Sequence, residues 1–234
     1  MALLEVDALD AWYGRAQILF GVSLAVDAGE AVVLLGRNGA GKSTTLKAIM
    51  ALVVERRGSI LFDGVAIHGL PAHRIARMGL GYVPEDRRIF AGLTVEENLA
   101  VGRLPARAGH VWTADELFTL FPNLREMQDR PGGRMSGGEQ QMLTIARALM
   151  GNPRFLLMDE PSEGLAPVII EGIVGAVRTL KARGVGLLIS EQNLAFARAV
   201  ADRAYVIEKG QIRFAGSLAE LDADPAMRAQ YLAV

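Results

Sequence analysis

With 234 residues, of which 51% are hydrophobic and 22% charged, the chain suits one globular unit with ample core and room for an inserted subdomain, and is too apolar to be disordered. A net charge of -1 supplies no global basic field for a nucleic-acid backbone, so no nucleic-acid partner is expected. The absence of cysteine excludes disulfides and thiolate metal sites; the three histidines, His68, His73 and His110, lack helical ligand spacing apart from a loose His68/His73 pair that reads as loop and helix surface.

The opening Met1-Ala-Leu-Leu-Glu-Val-Asp meets an acid too early for a secretory signal. No apolar run approaches the roughly 20 residues that span a bilayer. The expectation is a soluble chain in the cytoplasm that meets a membrane only through a partner. Short or alternating apolar runs predict strands at Leu3 to Val6, Val22 to Val26, Ala31 to Leu35 and Ser59 to Phe62, the last closed by an Asp63-Gly64 turn, giving an N-terminal β-rich layer. A helix is expected over Thr44 to Leu52, and Glu55-Arg56-Arg57 reads as a solvated charge run. Further strands at Gly81 to Val83, Phe155 to Met158, Leu187 to Ser190 and Ala204 to Ile207 alternate with helical patterns such as Ile170, Ile173, Val174, Val177 and Leu180. That alternation predicts a parallel sheet with helices on its faces. Lys209-Gly210 reads as a hairpin turn and Asp224 to Val234 as a terminal helix. Between the halves, Thr94-Val-Glu-Glu97 and Thr113-Ala-Asp-Glu116 fit the capping box that opens helices, with Pro105 and Gly109 as punctuation. A helical subdomain over residues 94–151, inserted into an α/β core of 1–93 and 152–234, is the expected organisation.

Three segments carry chemistry. Gly36-Arg37-Asn38-Gly39-Ala40-Gly41-Lys42-Ser43, followed by Thr44, fits G-x-x-x-x-G-K-[ST] after an apolar strand. Its glycines let successive N–H groups turn towards phosphate oxygens, and the following helix adds its positive end. A nucleoside triphosphate is the expected ligand, with Lys42 on the β- and γ-phosphates and Ser43 on Mg²⁺. Phe155-Leu-Leu-Met-Asp159-Glu160 delivers two carboxylates at a strand end: Asp159 for the Mg²⁺ shell and Glu160 to orient the attacking water. Ser136-Gly137-Gly138-Glu139 is open to two readings. It is itself a capping box, which would account for it as a helix start; yet two glycines in the first turn cost helix stability, and a phosphate from another subunit would use their bare N–H groups.

In this order, the motifs resemble the ATP-binding cassette family of transporter ATPases over essentially the full length. Tyr13-Gly14 resembles the aromatic that stacks on adenine, Gly36 to Ser43 the Walker A loop and Tyr82-Val-Pro-Glu85 the Q-loop. Met135 to Glu139 resembles the signature loop, Phe155 to Glu160 the Walker B strand and Ser162-Glu-Gly-Leu165 the D-loop. The resemblance implies an α/β P-loop NTPase (RecA-like) core with an N-terminal antiparallel β layer and an inserted helical subdomain. It also implies ATP and Mg²⁺ as ligands, and a homodimer or heterodimer in which Ser136, Gly137, Gly138 and Glu139 serve the other subunit's ATP. Two positions depart from the family pattern. Glu85 stands where most members have glutamine and could meet Mg²⁺ or a bridging water. Gln192 stands where most have a histidine; it can donate to the γ-phosphate but cannot become cationic.

The strings Pro84 to Phe90, Leu93 to Leu99, Glu160 to Pro167 and Glu191-Gln-Asn193 resemble the second ATPase subunit of branched-chain amino-acid importers, with Asp86 where a glycine is expected. This implies two permease subunits, indirectly a periplasmic binding protein, and a peripheral place on the cytoplasmic face of the inner membrane, with the surface of Glu85 to Leu93 docking the permease. The alternatives are a non-transport ABC ATPase, which would normally need paired cassettes, coiled-coil arms or a basic face, and a weakly hydrolysing regulatory module, suggested by Gln192 and opposed by Glu160.

Overall fold

The computed structural model describes residues 2–53, 55–105 and 111–223. Two sheets form the scaffold. Strands β1 (Leu4–Tyr13), β2 (Ala16–Val26), β4 (Glu55–Phe62) and β5 (Val65–Ala66) pair antiparallel in the order β2-β1-β4-β5. The second sheet runs β10-β9-β3-β8-β7-β6, from β3 (Ala31–Leu35), β6 (Leu80–Val83), β7 (Phe155–Asp159), β8 (Gly186–Glu191), β9 (Arg203–Glu208) and β10 (Gln211–Gly216). Its strands are parallel except for β10, which returns on β9 through Lys209-Gly210. Both turn residues have positive φ, as a two-residue hairpin requires.

β3, β7 and β8 are buried at every position, which is why they read as unbroken apolar runs. Alternate residues feed two cores. Val32, Leu34, Leu157 and Leu188 face the antiparallel sheet, α1 (Lys42–Ile49) and α2 (Ala72–Met78). Val33, Leu35, Leu156, Met158, Leu187 and Ile189 face the remaining helices: α3 (Val95–Gly102), α4 (Ala114–Leu120), α5 (Pro122–Glu126), α6 (Gly137–Leu149), α7 (Pro167–Ala182), α8 (Leu194–Val200) and α9 (Leu218–Ala223). The expected capping boxes form at Thr94, Thr113 and Ser136.

Several expectations need correction. β1 and β2 are longer than their apolar runs, because Asp7 and Asp10 ride the exposed face and take part in cross-strand bonds. The first helix starts at Lys42 and ends at Ile49, where Ala51 turns to positive φ. The charge run is not uniformly solvated: Arg56 is partly buried, and its guanidinium donates to the carbonyls of Ala48, Ile49, Ile67, His68 and Leu70. Burial lowers its pKa. Asp86 does not collapse the following loop. Arg87 and Arg88 both adopt positive φ, Arg88 pairs with Asp86 at 2.9 Å, and Arg147 from α6 donates to the Arg87 and Arg88 carbonyls while lying over the Phe90 ring. The terminal helix expected at 224–234 lies outside the described residues.

Candidate nucleotide site

The carboxyl ends of β3, β6, β7 and β8 converge on one edge of the parallel sheet, the place where open α/β sheets bind ligands. β3 runs into the loop Gly36 to Gly41 and then α1. Gly41 has φ 114°, and a Cβ there would stand 2.9 Å from Leu19, so the loop closes onto β2 only with glycine. The turn after β9 holds the loop from behind, with the Gly210 N–H donating to the Ala40 carbonyl at 2.8 Å.

Lys42 is buried, and its ammonium donates to the Gly36 and Arg37 carbonyls at 2.8 and 3.1 Å and meets Glu160 Oε1 at 3.1 Å. Ser43 Oγ donates to Asp159 Oδ1 at 2.9 Å. Asp159 also accepts from Ser190 Oγ at 2.7 Å and from Tyr82 Oη at 3.1 Å, so its two oxygens are fixed by three hydroxyls. Burial, then the charge of Asp159, raises the Tyr82 phenol above its ordinary range and keeps it a donor. Gln192 Nε2 donates to Glu160 Oε2 at 2.8 Å and to Asn38 Oδ1 at 2.7 Å. Glu160 has φ 45°, uncommon for a side chain of its size, and its N–H is held by Ser190 Oγ and the Ser190 carbonyl at 3.0 and 3.1 Å.

A groove of about 330 Å³ opens over these groups, lined by Tyr13, Asn38, Gly39, Gly41 to Thr44, Glu85 and Glu160. A neighbouring groove shares Tyr13 and Glu85 and continues to Lys47, Tyr82 and Asp159. Tyr13 is 44% exposed at the end of β1, with its ring available to a flat ligand. The Glu85 carboxyl is raised by burial first and then by the charges of Asp159, Glu160 and Glu163, with Lys47 opposing. Hard oxygens in contact at Ser43 and Asp159, with carboxylates crowded beside them, form a donor set that fits Mg²⁺.

The structure thus brings together Tyr13, Asn38, Gly39, Gly41, Lys42, Ser43, Thr44, Glu85, Asp159, Glu160 and Gln192 of the expected site, with Gly36 and Ala40 supporting the loop. It does not bring Ser136, Gly137, Gly138 and Glu139 there: none of them lines either groove. Their glycines have a local use. A Cβ on Gly137 would stand 2.8 Å from the Arg87 guanidinium, and one on Gly138 2.9 Å from Ile169. Sequence reasoning missed the hydroxyls of Tyr82 and Ser190. The signal for Ser190 was a polar residue directly after the apolar run Leu187 to Ile189, and strand register sets it opposite Asp159.

Residues 19–163 match the family model described as ABC transporter. The chain is 45% identical over 231 residues to the high-affinity branched-chain amino acid transport ATP-binding protein BraG of Pseudomonas aeruginosa, covering 98% of this chain and 99% of that one. It is also 36% identical to the lipopolysaccharide export system ATP-binding protein LptB of Escherichia coli K12, over 99% and 98% of the two chains. Among solved structures, a nucleotide-free ATP-binding cassette from an ABC transporter superposes with TM-score 0.83 at 28% identity, covering 97% of each chain. A bacterial Atm1-family ABC exporter with ATP bound gives TM-score 0.82 at 28% identity over 97% of this chain and 41% of its own. The chain therefore belongs to the ABC transporter family, as one of its ATP-binding subunits.

Proposed function

We propose that the chain hydrolyses ATP to drive import of branched-chain or other hydrophobic amino acids through a partner permease. One cluster carries the catalytic half of this reading: Glu160 lies between the Lys42 ammonium and the Gln192 amide at the mouth of the P-loop groove. In the reaction, a water oxygen bonds to the γ-phosphorus, the bond to the β–γ bridging oxygen breaks, and ADP leaves. Glu160 orients that water and takes its proton. Lys42 moves from Glu160 and the loop carbonyls onto the β- and γ-phosphates, which frees the carboxylate for the water. Gln192 donates to the γ-phosphate from the same side, and Tyr13 stacks on the base. Ser43 and Asp159, with Glu85 nearby, would hold Mg²⁺, which when bound neutralises phosphate charge as the transition state develops.

Because Ser136 to Glu139 lie away from this groove, they serve the nucleotide of a second ATPase subunit, either a copy of this chain or a sister. Residues 94–151 then act as the helical subdomain that carries this loop towards the partner. The family implies dimerisation and permease partners. The amino-acid cargo is supported by the 45% identity to BraG, against 38% to LptB of Acidithiobacillus ferridurans. That second relative, matched over 98% of this chain, makes lipopolysaccharide export the competing cargo. The test is ATP turnover of the chain reconstituted with a candidate permease pair and sister ATPase. Stimulation by leucine-loaded binding protein supports import; stimulation only by lipopolysaccharide, with its own permease, overturns it.

A further inference from the structure

Resting on the ATPase reading above, we propose that Glu191 is a positioning residue that sets the catalytic geometry of Glu160 and Gln192 by bracing the two turns that carry them. Glu191 closes β8 and is 2% exposed. Its Oε1 accepts the Ser162 N–H at 3.1 Å, two residues beyond Glu160. Its Oε2 accepts the N–H groups of Gln192 and Asn193, each at 3.1 Å. One carboxylate therefore ties the turn after β7 to the turn after β8.

The tie completes a closed circuit. Glu160 is joined to Ser190 through its own N–H, to Gln192 through its side chain, and to Glu191 through the backbone at Ser162. Strained backbone such as Glu160 at φ 45° persists where its surroundings over-determine it, and this circuit does so from three directions. Chemistry restricts what can stand at position 191. The N–H donors arrive on two sides, so both terminal atoms must accept, which a carboxylate does and an amide or single hydroxyl cannot. Burial pushes the Glu191 carboxyl up, against the pull of the Ser162 side chain first and then of the Asn193, Ser162 and Gln192 N–H groups. A desolvated carboxylate held by three backbone N–H groups and the Ser162 side chain beside the reacting residues is more than a helix start needs: Asn193 already caps α8 with its own side chain.

The near-isosteric Glu191→Gln variant tests this by setting an NH₂ against one side of the circuit. ATP turnover and the affinity for a fluorescent ATP analogue are measured for the full chain, Glu191→Gln, Glu160→Gln and the double variant. Expected are a 10- to 100-fold fall in kcat for Glu191→Gln, KM for ATP within about threefold, and no further loss when it is added to Glu160→Gln. Unchanged kcat in Glu191→Gln overturns the proposal. So does loss of ATP binding together with turnover, which marks a purely structural role, and so does an independent multiplicative loss in the double variant. If the unsubstituted chain turns over no faster than Glu160→Gln, the ATPase reading fails and this inference with it, an outcome distinct from failure at Glu191 alone.

Discussion

Asp159 takes hydroxyl bonds from Ser43, Ser190 and Tyr82, and these differ in what their loss removes. Tyr82→Phe deletes one donor and leaves the ring in place, so Asp159 keeps its position through the two serines. The expected cost is about 1–2 kcal/mol in stability, with turnover reduced several-fold and not abolished; thermal unfolding and steady-state kinetics check both. At Gln192 the amide donates to Glu160 but has no titration near neutrality. Gln192→His should therefore add an inflection to the pH profile of kcat near the ordinary imidazole value of about 6.5. A profile left unchanged by the substitution would contradict this placement. The P-loop lysine, the Walker B pair and the departure at 192 were legible because each sits in a short contiguous string. Tyr82 and Glu191 were not, because their roles depend on partners 77 residues away at Asp159 and 29 residues away at Ser162.

Local signals fixed the helix starts, since a capping box is complete within four residues: Thr94, Thr113 and Ser136 each form one as read. Elements shaped by distant groups were harder to read. Arg87 and Arg88 adopt their left-handed backbone under the guanidinium of Arg147, about sixty residues on, and Arg56 is drawn inward by carbonyls from two segments, the end of α1 and residues 67–70. The turn between β2 and β3 offers a quantitative case. Glu30 accepts the Asp27 N–H at 2.9 Å and the Arg203 guanidinium of β9 at 2.5 and 3.0 Å. Burial would raise its carboxyl, but the bonds from Arg203 and Asp27 outweigh that and hold it below the ordinary value. A carboxyl lowered on folding contributes stability above its unfolded pKa and loses it as pH falls through the folded value. Glu30→Gln should lower stability at pH 7 by about 1–3 kcal/mol, and the gap should close under acid conditions below about pH 4. Denaturant melts across that range check it, and a gap that persists in acid would contradict the ion pair as the cause.

At the scale of the molecule, two cores on opposite faces of one mostly parallel sheet place four strand ends and a helix start around two adjoining grooves. The alternation of strands and helices made that architecture readable in advance, and the separation of Ser136 to Glu139 from the grooves agrees with the expectation that they serve another subunit's nucleotide. It carries a prediction of its own. If those residues complete the site of a second subunit, turnover per chain should rise with chain concentration, and Ser136→Ala mixed with Lys42→Ala should recover part of the activity that each lacks alone. Turnover independent of concentration would count against a shared site.

Hydrolysis by Glu160, held between Lys42 and Gln192, is tested by ATP turnover of the chain beside Glu160→Gln under matched ATP saturation. The variant should bind ATP with unchanged affinity and turn over at least about 100-fold more slowly. Equal turnover in the two chains would contradict it.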